Sequence, residues 1–354
     1  MEKCFINGLG CVSSQETIND DFLKSPIDYS DAFLIPALKP DYKSFIPPAA
    51  IRRMSNGVKN SVVASAYAMK EANVTEVDGI ITGTGMGCIQ DSEKFLSKLI
   101  EYNEEYLTPT PFIQSTHNTV AGQIALNLKS KAYNFTYVHA GNSFQSALLD
   151  GMMKVQLDNK NSVLVGGVDE IGDHSLMLFR LVNIYKKEDE KNDIFYPQTP
   201  GAVMGEGATF FVLGNEKQDN TSAELLDVDM LSKVEDDNVP NYINQFLEKH
   251  NLVHDDIDAI ILGNNGDVKF DHLYTKAEEN FETAEKVYFK HLFGDFHASP
   301  SIALWIASNI IKKQHIPEVL YRNIPRERKS SYKKVLIYTH YRGQDHSLIL
   351  LSNV

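Results

Sequence analysis

The stretch Val138-His139-Ala140-Gly141-Asn142-Ser143-Phe144-Gln145-Ser146-Ala147-Leu148 is the pivot of this chain. Residues 134–139 (NFTYVH) are rich in β-branched and aromatic side chains and read as a strand. Beyond the corner, Phe144, Ala147, Leu148, Met152 and Val155 share one face of a helix predicted over 142–156. Asn142 or Ser143 can cap its N-terminus. A strand-to-helix corner exposes one side chain beside free helix N–H groups, which suits a nucleophile. Here the corner holds Gly141.

Outward from the corner, strands alternate with amphipathic helices. Residues 57–70 carry Val58, Val62, Ala66 and Met69 at helical spacing. Cys4–Ile6 reads as a strand that ends in a glycine turn, and Asp78–Thr82 as a short buried strand before the turn TGTGMG. SVLVGG (162–167) and ATFFVLG (208–214) are continuous apolar runs of the buried-strand kind. The second half repeats the order. IDAIILGNNGD (257–267) answers VDGIITGTGMG (77–87), KVLIYTH (334–340) answers SVLVGG, and HSLILLSN (346–353) answers ATFFVLGN (208–215). GDFHASPSIALWIAS (294–308) stands where AGNSFQSALL (140–149) stands in the first half. Two similar α/β units are therefore expected, 1–218 and 219–354, joined by the polar stretch Asn215–Ala223. Corners facing each other across such a pseudo-dyad frame one cleft, because ligands collect at the carboxyl ends of parallel strands.

Composition limits the function. The 354 residues carry a formal charge of −13, which argues against a nucleic-acid backbone as the main partner. The basic clusters Arg52-Arg53 and Arg326–Lys329 read as solvated surface. The N-terminal residues lack a signal-peptide layout, and no apolar run approaches the ~20 residues that span a bilayer. Cys4, Cys11 and Cys88 form neither a disulfide framework nor a metal knuckle, so a reducing cytoplasm is expected. The sequons at Asn73, Asn134 and Asn220 are then chance matches. TGTGMG lacks the GK[ST] ending of a phosphate loop and reads as a tight turn.

Several segments together carry a resemblance. FINGLGCVS (5–13), STHNTVAGQIAL (115–126), YNFTYVHAGNSFQSAL (133–148), VLVGGVDE (163–170) and the GEGA of PGAVMGEGATFFVL (200–213) resemble the β-ketoacyl synthases. These are thiolase-fold condensing enzymes of fatty-acid and polyketide assembly. The resemblance implies an α/β, thiolase-like five-layer αβαβα fold built from two pseudo-symmetric halves. Such enzymes use an elbow cysteine, acylated from a carrier protein, and two histidines that assist decarboxylation and stabilise the enolate and oxyanion. The resemblance places the cysteine at Gly141 and the histidines at Asn265 and Asp295. The lysine before the second histidine is retained as Lys290, and the gating loop 338–347 keeps Gly343.

Those replacements oppose condensation. Glycine supplies no nucleophile, and acyl transfer needs a thiolate or an activated hydroxyl. Asparagine does not titrate near neutrality, and an aspartate at 295 puts negative charge where an enolate would develop. Losing one oxyanion donor alone costs ~2.7–4 kcal/mol of barrier. Ser143, His139 and His297 are alternative candidates for a relocated nucleophile and base, against a capping serine and structural histidines. Asp295, His297 and His139 lack a metal-ligand spacing, and no metal or cofactor is expected. Cys88 reads as packing.

Condensing-enzyme relatives without the cysteine include the chain-length-factor subunits of type II polyketide systems. The resemblance implies a non-catalytic subunit that pairs with a catalytic ketosynthase, shapes its acyl tunnel and meets an acyl carrier protein. Aryl-polyene assembly is one such setting. Phe112, Gln114, Thr116 and His117 are then candidates for lining or gating the partner's tunnel, with Asn134 and Thr136 at the subunit interface. An active acyltransferase with relocated chemistry, and a homodimeric acyl-chain or carrier-protein scaffold, are the competing readings.

Overall fold

The computed structural model of the protein describes residues 2–19, 21–158 and 162–354. Ten strands form one mixed sheet. The first five are β1 (Phe5–Val12), β2 (Gly79–Gly83), β3 (Tyr133–Tyr137), β4 (Val163–Asp169) and β5 (Gly207–Gly214). The second five are β6 (Ala223–Leu231), β7 (Ala259–Leu262), β8 (Glu285–Tyr288), β9 (Lys334–Tyr341) and β10 (Gln344–Ser352). The order is β8-β7-β9-β10-β6-β1-β5-β4-β2-β3. Outward from the β1/β6 join, each side runs antiparallel, antiparallel, parallel, parallel. Strand order and direction thus repeat element by element. The join itself is slight, with Phe5 opposite Glu224 and Ile6 opposite Ala223.

Five layers follow from the apolar faces. α5 (Ser143–Asp158) and α9 (Pro300–Lys313) lie in the middle, where Phe144, Leu148, Ile302 and Ile306 pack with Val165, Phe211, Val335 and Ile349. α1 (Asn56–Glu71) and α4 (Thr119–Leu128) cover the outer face of the first half through Val58, Val62, Val120 and Ile124 on Ile80, Leu164 and Phe210. α7 (Val239–Lys249) and α8 (His272–Glu278) cover the second half through Phe246 and Tyr274 on Ile260, Leu336 and Leu348. Neighbours in one strand, such as Leu164 and Val165, therefore serve opposite layers.

One reading of the sequence changes. The N-terminal strand does not stop at a glycine turn but continues through Gly8 and Gly10 to Val12, with an irregular register between Ile6 and Gly8. The glycines are there for α1. A Cβ on Gly8 would sit 2.1 Å from the Ala68 carbonyl oxygen, and one on Gly10 1.9 Å from that of Ala64. The polar stretch after β5, between the two halves, is tied down by side-chain hydrogen bonds. Asn7 bonds the Glu216 carbonyl and the Thr221 hydroxyl, fastening it across the end of β1.

The two sheet edges differ. Tyr321 and Tyr332 bond Glu285 of β8, and most of that strand is buried. β3 pairs on one side only and leaves Tyr133 39% and Phe135 45% exposed.

Candidate functional site

The chain leaves β3 at Tyr137 and turns through one tight 3₁₀ turn, Ala140–Asn142, into α5. Ala140 has φ +42°, a strained conformation for a residue with a side chain. Gly141 behind it is buried, and its φ lies outside the left-handed range. An added Cβ there would stand 2.4 Å from Tyr341 Cβ and 3.3 Å from Asp345 Cβ. The space a nucleophile would use is therefore taken by the end of β9. The Tyr341 ring packs on His297, centroids 4.5 Å apart, and His297 in turn fills the room a side chain at Gly85 would need.

Across the cleft, the second corner brings three of the anticipated residues together. Lys290 Nζ donates to Asp295 Oδ1 at 2.5 Å, and Asn265 Nδ2 donates to Asp295 Oδ2 at 3.0 Å. Lys290 and Asp295 are both buried. Asn265 is held by Asp271, which accepts the N–H groups of Asn265 and Gly266. Burial pushes the Asp271 carboxyl up to about 7. Gly294 has φ +72° and presses on Gly205, where a Cβ would approach within 2.6 Å of backbone.

Asp169, at the end of β4, ties the corners to each other. Its Oδ1 accepts the Thr84 hydroxyl and the Gly85 and Met86 N–H groups, and its Oδ2 accepts the Ala298 N–H at 2.8 Å. The N–H groups of Gly85 and Met86 in the TGTGMG turn are thus spent on a carboxylate, which leaves them unavailable to a phosphate.

The remaining candidates occupy distinct places. Ser143 is buried, donates to the Ala140 carbonyl at 2.8 Å and accepts the His139 backbone N–H at 2.8 Å. Its hydroxyl bonds backbone on both sides, while His139 is exposed and His297 faces Tyr341. Phe112 is exposed and packs on Phe95, 5.2 Å between centroids. Gln114 is half-buried, and Thr116 bonds Thr119. His117 is exposed and lies over Gly87. Asn134 bonds the Ala121 carbonyl of α4, and Thr136 bonds Thr82 of β2.

Chemically the corner lacks a nucleophile with a base. Burial pushes the thiols of Cys4 and Cys11 up and that of Cys88 up to about 12. Burial, reinforced by Asp295, pushes Tyr341 up to about 12, so its hydroxyl stays protonated at neutral pH. Among the described residues no group of three or more His, Cys, Asp or Glu is placed to hold a metal, and no helix is long and apolar enough to cross a membrane. Sequence reasoning missed Tyr341 and Asp169. Tyr341 lies inside the gating-loop segment, but nothing in its neighbourhood points to Gly141, two hundred residues earlier.

Residues 37–219, just over half of the chain, match the beta-ketoacyl synthase N-terminal domain. The chain belongs to the β-ketoacyl synthase family. Among solved structures, the ishigamide ketosynthase/chain length factor superposes with a TM-score of 0.82 at 17% identity, covering 100% of this chain and 99% of that one. A ketosynthase in complex with its chain length factor from Xenorhabdus doucetiae gives 0.80 at 16%, over 100% and 98%. A β-ketoacyl synthase from Burkholderia phymatum gives 0.79 at 16%, over 100% of both chains. At such identities the likeness establishes the fold.

Proposed function

We propose that this chain is a non-catalytic, chain-length-factor-like subunit that pairs with a catalytic ketosynthase and shapes its acyl tunnel in type II polyketide or fatty-acid-like biosynthesis. The observation that carries the reading is the pairing of a disabled corner with an open edge. Position 141 has no side chain and no room for one, while β3 presents exposed aromatic residues along an edge strand paired on one side only. An apolar edge of this kind needs a covering partner. The rings of Tyr133, Phe135 and Tyr137 form one row, and α4 and α5 add exposed apolar side chains at Leu126, Met153 and Leu157. Two similar structures, one a ketosynthase/chain length factor and one a ketosynthase in complex with its chain length factor, support the same role.

In this reading Gly141, Asn265 and Asp295 are the positions of the lost cysteine and histidines, with Lys290 a retained lysine. The division into halves at 218/219 follows the strand repeat. Asn134 and Thr136 sit at the interface. Phe112, Gln114, Thr116 and His117 reach the partner's tunnel, from α3 (Pro109–Gln114) and the turn after it. The working partners are the ketosynthase and an acyl carrier protein, in the cytoplasm.

Co-expression with a ketosynthase that carries the full Cys-His-His set tests this. The expected result is a stable two-protein complex whose product length changes with Phe112→Ala or Thr116→Trp. A chain that purifies alone and leaves product length unchanged would remove the tunnel role. A covalent acyl adduct on Ser143 after incubation with a charged carrier protein would replace it with the active-enzyme reading.

A further inference from the structure

The glycine at 141 is not demanded by its own backbone. Its φ lies outside the left-handed range, so any L residue could adopt it. The demand comes from across the molecule, from Tyr341 Cβ at 2.4 Å and Tyr341 Cγ at 3.2 Å from where a Cβ would stand. That contact involves the root of the tyrosine side chain, so a rotamer change does not relieve it. The turn that carries Tyr341 is also fastened on several sides. Asp345 N–H donates to the Ser232 carbonyl, and Gly343 N–H donates to His340 Nδ1. Arg342 stacks over Phe270, 5.2 Å from the ring centroid, and lies 3.7 Å from Asp267. Arg342, Gly343 and Asp345 all have positive φ, which leaves the turn few alternative conformations. On the remaining face, His297 backs the Tyr341 ring.

We infer that Tyr341 is a fixed stopper in the elbow of this chain: it occupies the volume of the missing nucleophile, and Gly141 is glycine because Tyr341 needs that room. The chain's own corner then takes no acyl thioester, and restoring a cysteine at 141 alone restores no reactive site. The inference stands whether or not the chain pairs with a ketosynthase, since it concerns this subunit's interior only.

The test uses five full-length variants: Gly141→Ala, Gly141→Cys, Tyr341→Gly, which removes the clashing Cβ, and each of the first two combined with Tyr341→Gly. Cys4, Cys11 and Cys88 are 0–1% exposed and give a silent background. Gly141→Ala is expected to lower the melting temperature, and adding Tyr341→Gly to recover part of that loss relative to Tyr341→Gly alone. Iodoacetamide labelling at 141, read by mass spectrometry, is expected to be about tenfold or more faster in Gly141→Cys/Tyr341→Gly than in Gly141→Cys, as access limits a buried thiol. A cysteine single variant that fails to fold while the double variant folds supports the stopper equally. Equal melting losses with and without Tyr341, or equal labelling rates, overturn it. Should both cysteine variants fail to fold, octanoyl-pantetheine binding decides: saturable binding by Tyr341→Gly but not by the parent chain supports the stopper, and the same behaviour of both overturns it.

Discussion

The Lys290–Asp295 pair offers a quantitative test of what holds the second corner together. The two side chains are 4% and 8% exposed, and Asn265 donates to the second oxygen of the carboxylate. Replacing Asp295 with alanine strands a buried ammonium, for which the general cost is about 3–5 kcal/mol. Asp271 also feels the Lys290 charge and offsets part of the loss, so the lower end, about 3 kcal/mol, is expected. The Asn265 amide loses an acceptor as well, worth about 1 kcal/mol. Removing both charges with Lys290→Met/Asp295→Ala avoids the stranded ion and is expected to cost about 1–2 kcal/mol less than Asp295→Ala. Urea unfolding of the parent chain, both single variants and the double variant closes the cycle. An Asp295→Ala variant that loses under about 1 kcal/mol, or a double variant no better than the single, would refute the view that this corner is held by a buried ion pair.

Two further perturbations probe the same architecture. Asp169→Ala orphans the N–H groups of Gly85, Met86 and Ala298, each costing roughly 1–3 kcal/mol when buried, so a loss above about 3 kcal/mol is expected in the same unfolding assay. Burial raises Glu170 from 4.5 to about 7 and Asp271 from 3.8 to about 7. Because the folded values lie above the unfolded ones, the unfolded chain ionises first. These groups' contribution to stability is present below about pH 4 and is lost as pH rises through about 7. Urea midpoints are expected to fall from pH 5 to pH 8, and Glu170→Gln to flatten that slope.

The repeat was legible because buried parallel strands are apolar runs whatever their partners, so Ile80–Ile81 and Ile260–Ile261 declare themselves locally. The second half of β1 was not, because Gly8 and Gly10 carry no side-chain pattern and exist to admit Ala64 and Ala68 of α1. At the site, the resemblance singled out Lys290, Asp295 and Asn265, and these three do meet. The plug at the first corner was invisible, since Tyr341 reaches Gly141 only through the fold. On β3 the sequence drew attention to Asn134 and Thr136. Both form hydrogen bonds within the subunit, to Ala121 and Thr82, and Tyr133 and Phe135 add exposed aromatic surface to the same strand.

Pairing through β3 is measured most directly by light scattering on the chain co-expressed with a ketosynthase that carries the full Cys-His-His set, in parent form and as Phe135→Lys. The account predicts a one-to-one complex for the parent. It predicts separate subunits for Phe135→Lys, whose free chain keeps its melting temperature because position 135 is already 45% exposed. A parent chain that ignores the ketosynthase, or a complex that survives a lysine in the middle of that edge, would contradict it.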